Sequence, residues 1–138
     1  RIAHEQGVRD VRVMGFSSGG YAALLAAAKV RAAGYLGFSV STDFSLDAAS
    51  PPDSLAAARN SVPDDLFADL RATLGASASP ERGILYYGEE SIGDAAQARR
   101  MADLPNFVVE EVPGARHNTV MALLAEGRFQ QVVSRFLR

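Results

Sequence analysis

Apolar residues in this chain fall into short runs that alternate with longer stretches of helical character. Four runs are rich in β-branched and aromatic residues: 11–14, a stretch within 35–41, 84–87 and 107–112. They do not alternate strictly between apolar and polar positions, which is typical of parallel strands covered on both faces. The pattern predicts a three-layer α/β/α fold with a mostly parallel sheet of about four strands.

A helix is predicted after each of the four strands, over 18–33, 64–74, 94–101 and 119–137, with a further short candidate at 55–59. In the third helix, Asp94 and Gln97 have the spacing of a capping box. The last helix is expected to be bent or interrupted at Gly127. The interval 42–83 is the longest connection between two predicted strands.

A serine bracketed by glycines stands where the first strand meets the alanine-rich helix. Gly15, Ser17 and Gly19 match the pattern G-x-S-x-G. A nucleophilic serine there must project from the end of the sheet, which requires strained backbone angles. We expect positions 15 and 19 to be pushed together, so that both need glycine. The helix that follows places the backbone N–H of Ser18 as an oxyanion donor. The alternative is a turn that binds phosphate or only packs tightly.

Composition excludes several kinds of site. The chain has 138 residues, 48% hydrophobic and 22% charged, with a formal net charge of −2. This suits a single globular domain and argues against nucleic acid or a membrane surface as a partner. Cysteine is absent and only His4 and His117 are histidines, so neither a metal site nor a cofactor is expected. No apolar run approaches a bilayer span and no secretory signal is visible, which favours the cytoplasm.

Three segments together resemble the α/β-hydrolase superfamily. VMGFSSGGYAALLAAA resembles its nucleophile elbow, ILYYGEE its acid-bearing turn and VPGARHN its histidine-bearing turn. The order serine, acid, histidine is the order that this superfamily implies. The resemblance covers nearly the whole chain but only the second half of a usual hydrolase domain. We therefore expect 1–138 to be a single partial domain that lacks the N-terminal strands and the oxyanion loop.

The resemblance implies a Ser-His-acid triad. Ser17 needs an adjacent base, and His117 follows the fourth strand, at the edge of a parallel sheet where the strand ends share a crevice. His4 is expected to be structural or exposed.

The acid is harder to place, because the Gly-x-x-Asp of the family is Gly-Glu-Glu-Ser at 88–91 here. We assign it to Asp94, at the end of the same loop, with Glu90 as the alternative and Asp43, after the second strand, as a third option.

The function that these expectations favour is a serine hydrolase of the carboxylesterase or thioesterase kind, acting on a small-molecule acyl substrate. The chain alone is expected to be inactive, because the second oxyanion donor of the superfamily comes from an early loop. A non-catalytic binding module with a hydrolase-like fold is the main alternative, supported by the irregular acid turn. A phosphate-binding domain is less favoured, since the loop at 15–20 contains neither Lys nor Arg.

Overall fold

The computed structural model describes Gly7 and residues 10–44, 69–76 and 79–138. Within these ranges, strands and helices alternate along the chain. The strands are β1 (Arg12–Phe16), β2 (Gly34–Phe38), β3 (Gly83–Gly88) and β4 (Phe107–Val112). The helices are α1 (Ser17–Lys29), α2 (Leu70–Ala76), α3 (Ile92–Arg99), α4 (Thr119–Ala125) and α5 (Phe129–Leu137).

The four strands form one sheet in the order β1-β2-β3-β4, and every neighbouring pair is parallel. The prediction of a mostly parallel sheet of about four strands is confirmed. Phe16 is the register partner of Phe38, and Phe38 is the partner of Tyr86. The carboxyl ends of β1 and β2 are therefore level, and the loops that follow all four strands leave from one edge of the sheet.

Helices cover both faces of the sheet. Leu24 of α1 and Leu70 of α2 share one buried cluster with Tyr35 of β2. The next residue of β2, Leu36, belongs instead to a second cluster that includes Phe136 of α5. Neighbouring residues of a strand face opposite sides, so the two clusters lie on opposite faces. This arrangement confirms the three predicted layers.

Two helix predictions can be compared directly. The last helix is interrupted as expected, since Gly127 has a φ of 67° and lies between α4 and α5. The capping box at Asp94 and Gln97 is wrong. Helix α3 begins at Ile92 after Ser91 as N-cap, so Asp94 lies inside the first turn. The side chain of Gln97 is buried and bonds to the loop after β2 instead.

Several predicted features lie outside the described residues: the short helix at 55–59, the first part of the helix at 64–74, and His4. The last part of the 64–74 helix corresponds to α2. No helix in the described ranges is long and apolar enough to cross a membrane.

Candidate active site

Ser17 lies at the abrupt junction of β1 and α1. The preceding Phe16 is extended, with φ −130° and ψ 137°, whereas Ser17 has a φ of 54° and begins the helix. The predicted strained serine at a strand end and helix N-terminus is confirmed. A side chain in this left-handed region costs about 1–2 kcal/mol, so the surrounding contacts must hold the residue there.

Close packing of the strand against the helix explains the glycines of the turn. A Cβ on Gly15 would lie 2.5 Å from the Cα of Gly20 and 2.9 Å from the Cβ of Ala23. A Cβ on Gly20 would lie 2.6 Å from Cγ2 of Val40. At Gly19, by contrast, a Cβ would meet nothing within 4 Å. The prediction that position 19 needs glycine for close approach is therefore wrong, because position 20 is the one that faces the strand.

Tyr35 of β2 fixes the first turn of α1 from the neighbouring strand. Its hydroxyl donates a 2.7 Å hydrogen bond to the carbonyl oxygen of Gly20. Tyr35 is fully buried, and burial raises the pKa of its hydroxyl, so the group keeps its proton and remains a donor. The bond adds a polar contact to the apolar packing that holds the turn.

His117 reaches Ser17 from the loop between β4 and α4. Its Nε2 lies 3.0 Å from Oγ of Ser17, across 100 positions of the chain. The ring also contacts Phe16, with the two ring centroids 5.4 Å apart. The predicted hydrogen-bond distance between His117 and Ser17 is confirmed.

Asp94 lies on the other side of the imidazole. Both of its carboxylate oxygens are 3.0 Å from Nδ1 of His117. The side chain of Asp94 is only 13% exposed, against 52% for His117. A carboxylate can only accept, so Nδ1 carries the proton, which leaves Nε2 free to accept from the hydroxyl of Ser17. This is the tautomer that a general base requires.

The other two carboxylates considered from the sequence have different partners. Oε2 of Glu90 lies 3.2 Å from Nε of Arg116 at the surface. Oδ2 of Asp43 lies 3.4 Å from Nη1 of Arg100. Of the three, the structure brings only Asp94 to the imidazole.

The turns that carry these residues pack backbone against backbone. A Cβ on Gly88, the last residue of β3, would overlap the carbonyl oxygens of Ala115 and Arg116. The backbone N–H of Glu90 donates to the carbonyl oxygen of Ala115 at 2.9 Å. The loop after β4 therefore lies directly on the end of β3, which holds it near Asp94.

Comparison with solved structures identifies the fold. The putative non-heme bromoperoxidase BpoC from Mycobacterium tuberculosis H37Rv matches with a TM-score of 0.59 and 15% identity over 99% of this chain and 69% of that one. MenH from S. aureus matches with a TM-score of 0.59 and 14% identity, over 95% of this chain and 72% of MenH. MGS-MChE2, an α/β hydrolase enzyme from a lagoon-sediment metagenome, matches with a TM-score of 0.54 and 16% identity, over 97% of this chain and 64% of that enzyme. The chain has an α/β-hydrolase-like fold.

Identities this low establish the fold alone. A scan against protein-family models and a search of curated proteins found no match. The chain spans 64–72% of the length of the three structures described. What the α/β-hydrolase-like fold does in this protein must be argued from its own side chains.

Ser18, the predicted oxyanion donor, is the second residue of α1. Backbone N–H groups in a first helical turn have no partner within the helix and lie at its positive end. The first turn of α1 contains no acidic residue to offset that positive end.

The residues that the structure describes contain no cluster of three or more His, Asp or Glu side chains able to hold a metal ion.

Sequence reasoning missed two residues of this site, Phe16 and Gly20. The second glycine of Ser-Ser-Gly-Gly was the available signal for Gly20. The contact of Phe16 with His117 had no local signal, because the histidine comes from a distant loop.

Proposed function

We propose that the chain carries the nucleophile, base and acid of a serine hydrolase that cleaves an ester or a related acyl bond in a small molecule. The observation that carries this proposal is the continuous set of contacts from Asp94 through His117 to Ser17, each at 3.0 Å. An acid, a base and a hydroxyl in this order can turn a weakly nucleophilic serine into an effective one.

In the first step, Oγ of Ser17 attacks the acyl carbon while Nε2 of His117 takes the hydroxyl proton. The bond between carbonyl carbon and serine oxygen forms, and the carbonyl oxygen becomes an oxyanion that the N–H of Ser18 stabilises. Collapse breaks the bond to the leaving group, an alcohol or thiol, which takes the proton from His117. Asp94 holds the ring in its tautomer and stabilises the imidazolium.

In the second step, water attacks the acyl-serine. His117 takes a proton from the water as the new carbon–oxygen bond forms, and it returns that proton to Ser17 as the ester breaks. The acid product leaves and the serine is restored. These steps require no metal and no organic cofactor.

Two further observations support a hydrolase over a phosphate-binding domain. The loop at 15–20 contains no Lys or Arg to pair with a phosphate. The structural neighbour MGS-MChE2 is an α/β hydrolase enzyme.

Labelling with a fluorophosphonate tests the proposal in the full-length protein. We expect the reagent to modify Ser17, as located by peptide mass spectrometry, and Ser17→Ala to abolish the modification. Ser18→Ala is the matched control, because the neighbouring serine contributes its backbone N–H and not its hydroxyl. Full-length protein that folds but takes no label at Ser17 would favour the non-catalytic binding module.

A further inference from the structure

Among the described residues, four polar side chains are almost completely buried. Ser39, Thr42, Gln97 and Thr119 are each at most 2% exposed. They form two hydrogen-bonded pairs, Ser39 with Thr119 and Thr42 with Gln97. We call these four residues the buried polar bracket. One pair joins the loop after β2 to the start of α4, next to the loop that carries His117, and the other joins it to α3, which carries Asp94.

The first pair anchors the histidine loop. The hydroxyl oxygens of Ser39 and Thr119 lie 3.1 Å apart. Thr119 begins α4, two positions after His117, and Ala115, two positions before it, accepts the 2.9 Å bond from Glu90. Ala115 and Thr119 are buried whereas the histidine between them is exposed. His117 is therefore held at the centre of a five-residue span that is fixed at both ends.

The second pair anchors the helix that carries the acid. Oε1 of Gln97 accepts from the backbone N–H groups of Thr42 at 2.8 Å and Asp43 at 2.9 Å. Its Nε2 donates to the carbonyl oxygen of Asp43 at 2.8 Å. Gln97 lies three positions after Asp94, on the neighbouring turn of α3. These bonds fix the rotation of α3 about its axis, and the carboxylate of Asp94 moves with that rotation.

Backbone strain marks the start of the loop that makes both pairs. Ser39 directly follows β2 and has a φ of 46°, in the same left-handed region as Ser17. Its backbone N–H donates to the carbonyl oxygen of Tyr86 at 2.8 Å. A strained residue persists only where its surroundings hold it, and such residues concentrate at functional sites.

We propose that the buried polar bracket is the positioning element of the triad. Through it, the loop after β2 sets His117 and Asp94 in register with each other, and none of the four side chains touches substrate. The inference rests on the proposed function. Apolar residues of the same shape at both members of the Ser39–Thr119 pair would fill these positions at little cost in stability, whereas hydrogen bonds also fix direction and admit a single arrangement.

Variants that remove the side-chain hydrogen bonds of a single residue at nearly constant volume test the proposal. In Thr119→Val and in Gln97→Met, we expect the rate of fluorophosphonate labelling at Ser17 to fall about 10- to 100-fold, because small misplacements of catalytic groups have effects of this size. With a p-nitrophenyl ester, the loss should appear in kcat and not in KM. Thr119→Ser, which keeps the hydroxyl, should restore most of the rate.

The matched control is Thr73→Val. Thr73 also donates a hydroxyl hydrogen bond, to the carbonyl oxygen of Asp69 at 2.9 Å, but it lies on α2 outside the bracket. Its labelling rate should equal that of the wild type.

A second readout does not depend on catalysis. The Nδ1 proton of His117, bonded to Asp94, should give a downfield NMR resonance in the wild type at low temperature, broadened or absent in Thr119→Val and Gln97→Met. If the wild type shows this resonance but takes no label, the proposed function fails and the positioning role stands. If the variants keep the wild-type resonance and labelling rate, or if both simply unfold, the bracket is only structural and the inference is overturned.

Discussion

Gly15 and Gly20 contact each other across the strand-to-helix turn, where a Cβ on the first would lie 2.5 Å from the Cα of the second. The contact joins the strand residue two before the serine to the helix residue three after it. The sharpness of the turn therefore depends on a pair of glycines of which only one belongs to the G-x-S-x-G pattern.

Alanine at either glycine of this contact should destabilise the protein. We expect Gly15→Ala and Gly20→Ala each to lower the free energy of unfolding by about 1–3 kcal/mol, the usual cost of overpacking. Gly19→Ala is the matched control, because its Cβ would meet nothing within 4 Å and alanine favours the helix by up to about 1 kcal/mol. Urea denaturation measures all three, and a loss at position 19 equal to that at 15 would contradict this account of the turn.

The choice between two nearby carboxylates can be tested by amide substitutions. Asp94→Asn should lower kcat by up to roughly 10⁴-fold, because an amide that donates to Nδ1 stabilises the wrong imidazole tautomer. Glu90→Gln should leave kcat within about twofold, since that side chain pairs with Arg116 at the surface. Steady-state hydrolysis of an activated ester by the full-length protein distinguishes them, and the reverse ranking would transfer the acid role to Glu90.

The contact between the β3 end and the histidine loop should be equally intolerant of a methyl group. In Gly88→Ala the new Cβ would overlap two backbone carbonyls, of Ala115 and Arg116, which cannot rotate aside. We expect a loss of about 1–3 kcal/mol in stability and a lower labelling rate at Ser17. Gly93→Ala, in the first turn of α3 where a Cβ would meet nothing within 4 Å, should lower neither the stability nor the labelling rate. Wild-type labelling by folded Gly88→Ala would show that this contact does not position the loop.

Acid should remove one specific contribution to stability. Partial burial raises the pKa of Asp69, but the hydrogen bond and charge of Arg100, at 2.8 Å, together with backbone hydrogen bonds from Arg71 and Ala72, outweigh it and leave the pKa below its usual value. A lowered carboxyl pKa stabilises the fold above the unfolded-state pKa of about 3.9, and this is lost as pH falls through the folded-state value.

Asp69→Asn should therefore be less stable than the wild type at pH 7, by at most about 1 kcal/mol because the side chain is 38% exposed and screened by solvent. The difference should shrink as the pH falls below about 4. Urea unfolding of both proteins at pH 7 and pH 3 measures the difference in their free energies of unfolding at each pH. A difference that is the same at both pH values would mean that the ionised carboxylate does not act through Arg100.

The sequence predicted best those features that depend on neighbours in the chain. The bounds of β4 agree with the predicted 107–112, and the interruption at Gly127 follows from a residue that disfavours helix. The strain at Ser17 was also accessible, because it arises within one strand-turn-helix unit.

The features that the sequence did not predict depend on distant partners. The contact of Asp94 with His117 was predicted, but the capping box read from the local spacing of Asp94 and Gln97 is wrong, because Gln97 bonds to the loop after β2, 55 positions away. Ser39 and Thr42 were not singled out by the sequence analysis. Their burial depends on Thr119 and Gln97, 80 and 55 positions away, and no local pattern indicates such partners.

Strand order has a consequence for the way this site forms during folding. Because the strands are arranged in chain order, the sheet can grow by adding each strand beside the previous one, without threading. Ser17 and His117 nevertheless follow the first and the last strand, 100 positions apart. Bringing these two residues together costs chain entropy, and this cost is offset only after β4 has joined the sheet. We therefore expect the reactivity of Ser17 to appear late in refolding, after most helical signal has returned.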